Sequence, residues 1–173
     1  MTGSRESGAG SRLELTPDQQ RAAEDFRKLR GVDPFGPFIP LLKSPELMTR
    51  VSALGEYLRY RSALPPRLSE LAILITAAHW KQTFEWEIHA PIALTAGIPQ
   101  SVLDAVWAGE TPTGLGADQQ ALYELCQSLH RERGVSRDLV ERAESVLGEQ
   151  ATADAIAICG YYALLAMVLN TQK

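Results

Sequence analysis

The chain has 173 residues, of which 45% are hydrophobic and 22% are charged, so one domain with a sizeable core is expected. Lysine and arginine number 17 against 21 aspartate and glutamate residues, which gives a net charge of −4 without any basic block. This balance argues against nucleic acid as a partner. We expect no membrane span, because no stretch reaches the roughly 18 uncharged apolar residues that one needs. No signal peptide is recognisable, so a cytoplasmic location is predicted.

The domain is predicted to occupy residues 13–173. Residues 1–12 combine glycine, serine and charges without periodicity, which is typical of a disordered tail. Thr16 and Pro17 then form a helix start signal, and Gly31 marks the end of that helix.

The rest of the chain also shows helical rather than strand patterns, so the predicted class is all-α. Residues 32–40 hold three prolines and two phenylalanines, which favours a packed loop across the core. Ser44 and Pro45 begin a helix to about Ser62. Later helices are predicted at 101–108, 117–133, 137–147 and 149–169. The last is apolar on nearly all sides, which favours a position covered by a subunit interface.

The stretch from residue 67 to 97 carries the strongest functional signal. Its two helical segments are rich in leucine, isoleucine and alanine. Glu85 and His89 are four residues apart, so they share one helix face, and the isoleucines on that face direct it inward. Pro91 removes a backbone donor from the same helix, so a kink or an irregular turn is predicted beside His89.

A metal site is not expected in this stretch. The candidate ligands are His79, Glu85, Glu87 and His89, but on a straight helix only Glu85 and His89 share a face.

The two cysteines, Cys126 and Cys159, each stand alone in an apolar helical setting without a CxxC motif. Buried reduced thiols are therefore predicted in preference to a disulfide or a redox pair.

Three strings of the sequence together resemble the carboxymuconolactone decarboxylase family, whose all-helical fold is shared with the alkylhydroperoxidase D family. They are GPFIPLLKSPEL, YLRYRSALPPRLSELAILITAAHW and FEWEIHAPIALTAGIP, and the closing GYYALLAMVLN extends the likeness over about residues 36–170. The resemblance implies a homo-oligomer, a trimer or hexamer. It also implies enzymes that act without metal or organic cofactor on small lactone carboxylates from aromatic-compound breakdown.

The peroxidase branch of that superfamily carries two cysteines before its histidine, and this chain departs from that pattern. Aligned through His89, the cysteine positions hold Gln82 and Glu85, whereas the upstream glutamate is retained as Glu70. Peroxide reduction by that route needs a thiolate and a resolving thiol. Peroxidase activity of the family type is therefore not expected.

The resemblance to the decarboxylase branch implies a catalytic group of His89, Glu85 and Glu70. Decarboxylation leaves a carbanion that must be reprotonated at carbon, and an imidazole with a pKa of about 6.5 suits that step. We predict that His89 is the general acid or base. Glu85 would orient its ring or shuttle the proton, and Glu70 would support His89 from the preceding helix.

Other residues are weaker candidates. Trp86, His79 and Gln82 are candidate substrate-binding residues, whereas Tyr161 and Tyr162 are expected to be packing anchors.

The sequence leaves several alternatives open. A substrate carboxylate beside two glutamates needs a cation, and the candidates are Arg50, Arg67 and Lys81. An isomerase or a retro-aldol lyase would use the same proton-transfer pair. Two further alternatives are a catalytically silent helical homo-oligomer that binds a small molecule or a protein, and a residual peroxidase that uses Cys126 or Cys159.

Overall fold

The computed structural model describes residues 15–172, and this part of the chain contains nine α-helices and no strand. The predicted all-α class is confirmed. The predicted tail at residues 1–12 lies outside the described residues. The helices are α1 (Pro17–Arg30), α2 (Phe38–Leu41), α3 (Pro45–Tyr60), α4 (Pro66–His79), α5 (Thr83–Thr95), α6 (Gln100–Ala108), α7 (Ala117–Arg131), α8 (Arg137–Leu147) and α9 (Glu149–Asn170).

Helix α1 begins and ends where its sequence signals predict. The Thr16 hydroxyl accepts a hydrogen bond from the Gln19 backbone N–H, and the Gln19 side chain accepts one from the Thr16 N–H. This reciprocal pair satisfies two of the donors that a helix start leaves free. Gly31 follows the helix with φ of 73°, a conformation that glycine adopts without a steric cost.

The segment between α1 and α3 differs from the predicted loop because it contains helix α2. Pro40 lies in the first turn of α2, where a backbone N–H would have no partner within the helix, so the proline is tolerated. The segment packs on the core as predicted. The rings of Phe35 and Phe38 lie 6.1 and 4.6 Å from that of Phe26 on α1, measured between centroids.

Helix α4 is the centre of the core. All of its residues from Leu68 to Ala78 are buried, and it packs against α5, α6, α7 and α9. A helix that is surrounded in this way is expected to be mainly apolar, and of these residues only Ser69, Glu70 and Thr76 are polar.

Helix α9 also packs against the core, through α4, α7 and α8. By length and composition alone it is apolar enough to cross a membrane, although its run without charged or polar side chains is shorter than about 18 residues. Half of its most apolar window is buried inside the protein. Its position in the core therefore accounts for its composition.

Helix α5 continues through Pro91, from Thr83 to Thr95. The predicted irregular turn is therefore absent from this helix, although the proline removes one backbone donor. The donor that Pro91 lacks would have bonded to the carbonyl of Glu87, four residues earlier.

Candidate active site

The fold brings Glu70 of α4 together with Glu85 and His89 of α5. All three are buried, with 7%, 4% and 2% of their surface exposed. Ionisable side chains are rarely buried to this extent unless they are paired. The face of α5 that carries Glu85 and His89 is therefore enclosed, as predicted from the isoleucines. Together with Glu70 of α4, these two residues form a buried cluster of two acids and one base.

Glu70 sets the orientation of the His89 ring. The Nδ1 atom of His89 lies 2.7 Å from Oε2 of Glu70, so the protonated Nδ1 donates to the carboxylate. The prediction gave Glu85 either this orienting role or a proton-shuttling role, but Oε2 of Glu85 lies 3.6 Å from Nε2 of His89. That distance is too long for a hydrogen bond. Glu70 is thus the positioning residue, and Nε2 remains available.

Glu85 is a carboxyl group that retains its proton more readily than usual. Burial raises its pKa, and the nearby His89 and Arg59 oppose this rise only in part. Removal from water disfavours the charged carboxylate more than the cations stabilise it. Glu85 can therefore store a proton beside Nε2 of His89.

Tyr162 of α9 also contacts Nε2 of His89. Its hydroxyl lies 3.3 Å from Nε2 of His89, and the two rings are perpendicular with centroids 5.2 Å apart. Burial raises the pKa of Tyr162 well above its usual value near 10, so the hydroxyl keeps its proton and donates to an unprotonated Nε2. The sequence predicted only a packing role, because a tyrosine in an apolar helix resembles any core aromatic residue.

A small cavity of about 30 Å³ lies beside this cluster, which is enough space for water. Glu85, His89 and Tyr162 line it, and neither cysteine does. The rest of the wall is mainly apolar and is formed by Phe35, Pro37, Phe38, Phe84, Ile88 and Leu165. The cluster therefore faces a largely nonpolar space.

Two arginines, Arg30 of α1 and Arg59 of α3, line the same cavity. Arg30 donates through Nη2 to the Ser52 carbonyl oxygen at 3.3 Å, and its guanidinium lies 5.8 Å from the ring centroid of Phe38. The Nε atom of Arg30 and the hydroxyl of Tyr161 are buried and have no hydrogen-bond partner within residues 15–172. The wall thus combines positive charge with unsatisfied polar atoms.

The cations considered from the sequence lie elsewhere. Arg50 pairs with Glu46 on the exposed side of α3, and Arg67 pairs with Asp118. The third candidate, Lys81, donates to a backbone carbonyl of α6. None of the three lines the cavity. Arg30 and Arg59 gave no sequence signal, since each occupies an ordinary position near the end of an amphipathic helix.

The three predicted substrate-binding residues also lie outside the cavity lining. Trp86 packs against Trp107 with ring centroids 4.7 Å apart. His79 is exposed at the end of α4. Gln82 is buried, but its side chain caps α5 and donates to Asn170. None of the three therefore reaches this cavity as the side chains are placed, and their role in substrate binding stays a prediction.

The metal cluster considered from the sequence is not assembled. Across residues 15–172, no group of three or more histidine, cysteine, aspartate and glutamate side chains is placed to hold a metal ion. Glu87, one of the four residues considered, is exposed.

Comparisons with known proteins agree with this architecture. Residues 45–128 match the model of the Carboxymuconolactone decarboxylase family. None of the curated proteins matches the sequence. A similar solved structure is the crystal structure of the debrominase Bmp8 in its apo form, with a TM-score of 0.64 and 15% identity. That alignment covers 89% of this chain and 84% of the other, and at this identity it shows a shared fold alone. The matched residues, 84 of the 173, include Glu70, Glu85 and His89, so the part of the chain that holds the candidate site is similar to this family.

Proposed function

We propose that this protein is a cofactor-independent acid-base lyase that acts on a small lactone or conjugated carboxylic acid, with decarboxylation as the leading reaction. The observation that carries the proposal is the buried His89, whose Nδ1 is held by Glu70 while its Nε2 faces a cavity shared with a second acid and two arginines. An oriented imidazole of this kind is suited to proton transfer near neutral pH.

In the proposed reaction, the bond between the substrate carbon and its carboxylate breaks, carbon dioxide leaves, and the electron pair is delocalised into a conjugated carbonyl. Protonated Nε2 of His89 then donates its proton to that carbon. Glu70 stabilises the imidazolium that precedes this step, because its carboxylate accepts the Nδ1 hydrogen bond. Glu85, with its raised pKa, supplies the next proton to Nε2.

Arg30 and Arg59 are the proposed partners of the substrate carboxylate. Without a cation, a substrate carboxylate would be repelled by the Glu70 carboxylate. Arg30 offers an unpaired Nε donor, and Tyr161 offers an unpaired hydroxyl beside it. Because a lactone acid is larger than the cavity, the proposal requires the aromatic side chains that line it to move when the substrate binds.

The test is a screen of lactone and enol-lactone acids for release of carbon dioxide, followed by His89→Gln. The variant should lose about 10²- to 10⁴-fold in kcat, since a glutamine cannot transfer the proton. Glu87→Gln is the matched control, because Glu87 is exposed on the same helix, and it should leave turnover unchanged. Unchanged turnover in His89→Gln would eliminate the acid-base role. A wild-type chain that releases no carbon dioxide from any of these acids would favour the noncatalytic homo-oligomer.

The carboxylate-binding role is tested separately with Arg30→Gln. Loss of the guanidinium should raise KM by about tenfold or more, because a charged hydrogen bond contributes about 1.5 to 3 kcal/mol. Arg21→Gln, on the same helix, removes an exposed arginine that pairs with Asp18, and KM should not change. An equal KM for the two variants would refute the assignment.

We also propose that the protein assembles as a homo-oligomer, a trimer or hexamer. Large apolar side chains are exposed on two helices, Ile156 and Met167 on α9 and Ile92 and Leu94 on α5. Association would remove this apolar surface from water. Light scattering coupled to size-exclusion chromatography measures the mass directly, and a monomer at micromolar concentration would refute the proposal.

A further inference from the structure

A second cluster of reactive side chains lies in the core, apart from the cavity that His89 lines. Cys126 of α7 and Cys159 of α9 are both free, and their Sγ atoms are 3.4 Å apart. A disulfide has an S–S distance of about 2.0 Å, so an approach of about 1.4 Å would allow a bond to form. The sequence predicted two separate buried thiols, but the packing of α7 against α9 makes them neighbours.

We propose that Cys126 and Cys159 form a second reactive site, a dithiol that hydrogen peroxide oxidises to an intrachain disulfide linking α7 to α9. The proposal concerns different residues from those of the acid-base site and does not depend on the lyase function.

The surroundings of the two sulfur atoms differ, and the difference assigns their roles. The pKa of Cys159 is lowered, mainly by its hydrogen bond with Cys126 and further by His130 and Thr76. The pKa of Cys126 is raised by its hydrogen bond with Cys159 and by burial. The thiolate is the nucleophile in such reactions. Cys159 is therefore the attacking sulfur, and Cys126 keeps its proton and resolves the intermediate.

A surface cavity gives a small oxidant an approach to this pair. His130 and Ala163 line that cavity. Each lies four residues after one of the cysteines on the same helix, so one helical turn separates the cavity from the thiols. Nε2 of His130 is 2.9 Å from the Thr76 hydroxyl, and both side chains also interact with Cys159. Cys159 itself is 3% exposed, so access is limited to small molecules.

The chemistry balances without a further reactant. The Cys159 thiolate attacks one oxygen of the peroxide, the O–O bond breaks, and the departing hydroxide takes a proton from His130 to give water. The product is a sulfenic acid at Cys159. The Cys126 sulfur then attacks the Cys159 sulfur and displaces the hydroxyl group of the sulfenic acid. That hydroxyl group takes the Cys126 proton and leaves as a second water. Two thiols are oxidised by two electrons, and one peroxide is reduced to two waters.

The test treats the full-length protein with hydrogen peroxide under native conditions and then counts thiols after denaturation. Wild type should lose both thiols and about 2 Da in mass, and digestion should yield one peptide pair joined through Cys126 and Cys159. In Cys126→Ser, dimedone should trap a sulfenic acid at Cys159. In Cys159→Ser, Cys126 should stay unmodified under the same exposure. Alanine at either position serves if a serine variant does not fold.

Several results would overturn the proposal. After peroxide treatment of the wild-type protein, both thiols could still titrate, the main product could be a sulfinic acid, or the disulfide could link two chains. Any of these three results would refute the intrachain disulfide. His130→Gln should slow the loss of thiols by about tenfold, because the proton donor to the departing oxygen is gone. His89→Gln should be oxidised at the wild-type rate. Slowing by His89→Gln instead would assign the peroxide reaction to the first cavity and refute a separate site.

Discussion

Substitution of Gly55 by alanine would push a methyl group into the wall of the site cavity. Gly55 lies on α3, and a Cβ at that position would be 2.0 Å from the Tyr161 hydroxyl oxygen and 2.7 Å from Nη2 of Arg30. Ordinary contact needs about 3.4 Å or more, so the Tyr161 hydroxyl must move by about 1.4 Å. Arg30 can adjust through its flexible side chain, but Tyr161 is a rigid ring that is 4% exposed.

The free-energy change has two opposing parts. Alanine in place of glycine inside a helix stabilises by about 1 kcal/mol, whereas overpacking of a buried site costs about 1 to 3 kcal/mol. We expect the free energy of unfolding to fall by about 1 kcal/mol, and by about 2 kcal/mol at most. Tyr161 packs edge-on against Tyr162, with centroids 5.3 Å apart, and Tyr162 contacts Nε2 of His89. The displacement should therefore also lower kcat.

The assay is urea denaturation together with steady-state kinetics on the acid found in the substrate screen. Gly160→Ala on α9 is the matched control, because a Cβ there meets no atom within 4 Å. It should stabilise the protein by about 1 kcal/mol and leave kcat unchanged. Equal stabilisation by the two alanine variants would refute the placement of Tyr161 against α3.

Two further predictions concern the acids. The pKa of Glu85 is raised in the folded state. The protonated side chain therefore contributes to stability fully below about pH 4, and this contribution is lost as the pH rises through the folded-state pKa. Glu85→Gln should therefore match wild type in unfolding free energy at pH 4 and exceed it at pH 8. A difference in unfolding free energy that does not grow with pH would contradict a raised pKa of Glu85. Glu70→Gln keeps an oxygen that can accept from Nδ1 of His89, so it should retain more kcat than Glu70→Ala, which leaves a buried donor unpaired at a cost of about 1 to 3 kcal/mol. Equal kcat values for the two Glu70 variants, each with a wild-type circular dichroism spectrum, would exclude a positioning role.

The sequence by itself determined most helix boundaries. The cap at Thr16 and the stop at Gly31 act through neighbouring backbone groups, and such local effects do not depend on the rest of the fold. The shared face of Glu85 and His89 follows from helical periodicity in the same way. Helix α2 was missed because the prolines of its segment suggested a loop, although Pro40 lies where a helix tolerates it.

Only the tertiary structure decided which side chains meet at the site. Glu70 takes the orienting contact with His89 because α4 packs against α5, so the nearer acid in sequence is not the one that bonds to Nδ1. Tyr162 arrives from a helix more than 70 residues away, and its aromatic ring resembles any core residue in the sequence. Side-chain contacts between distant helices depend on how their surfaces interlock, and no local pattern of residues encodes that arrangement.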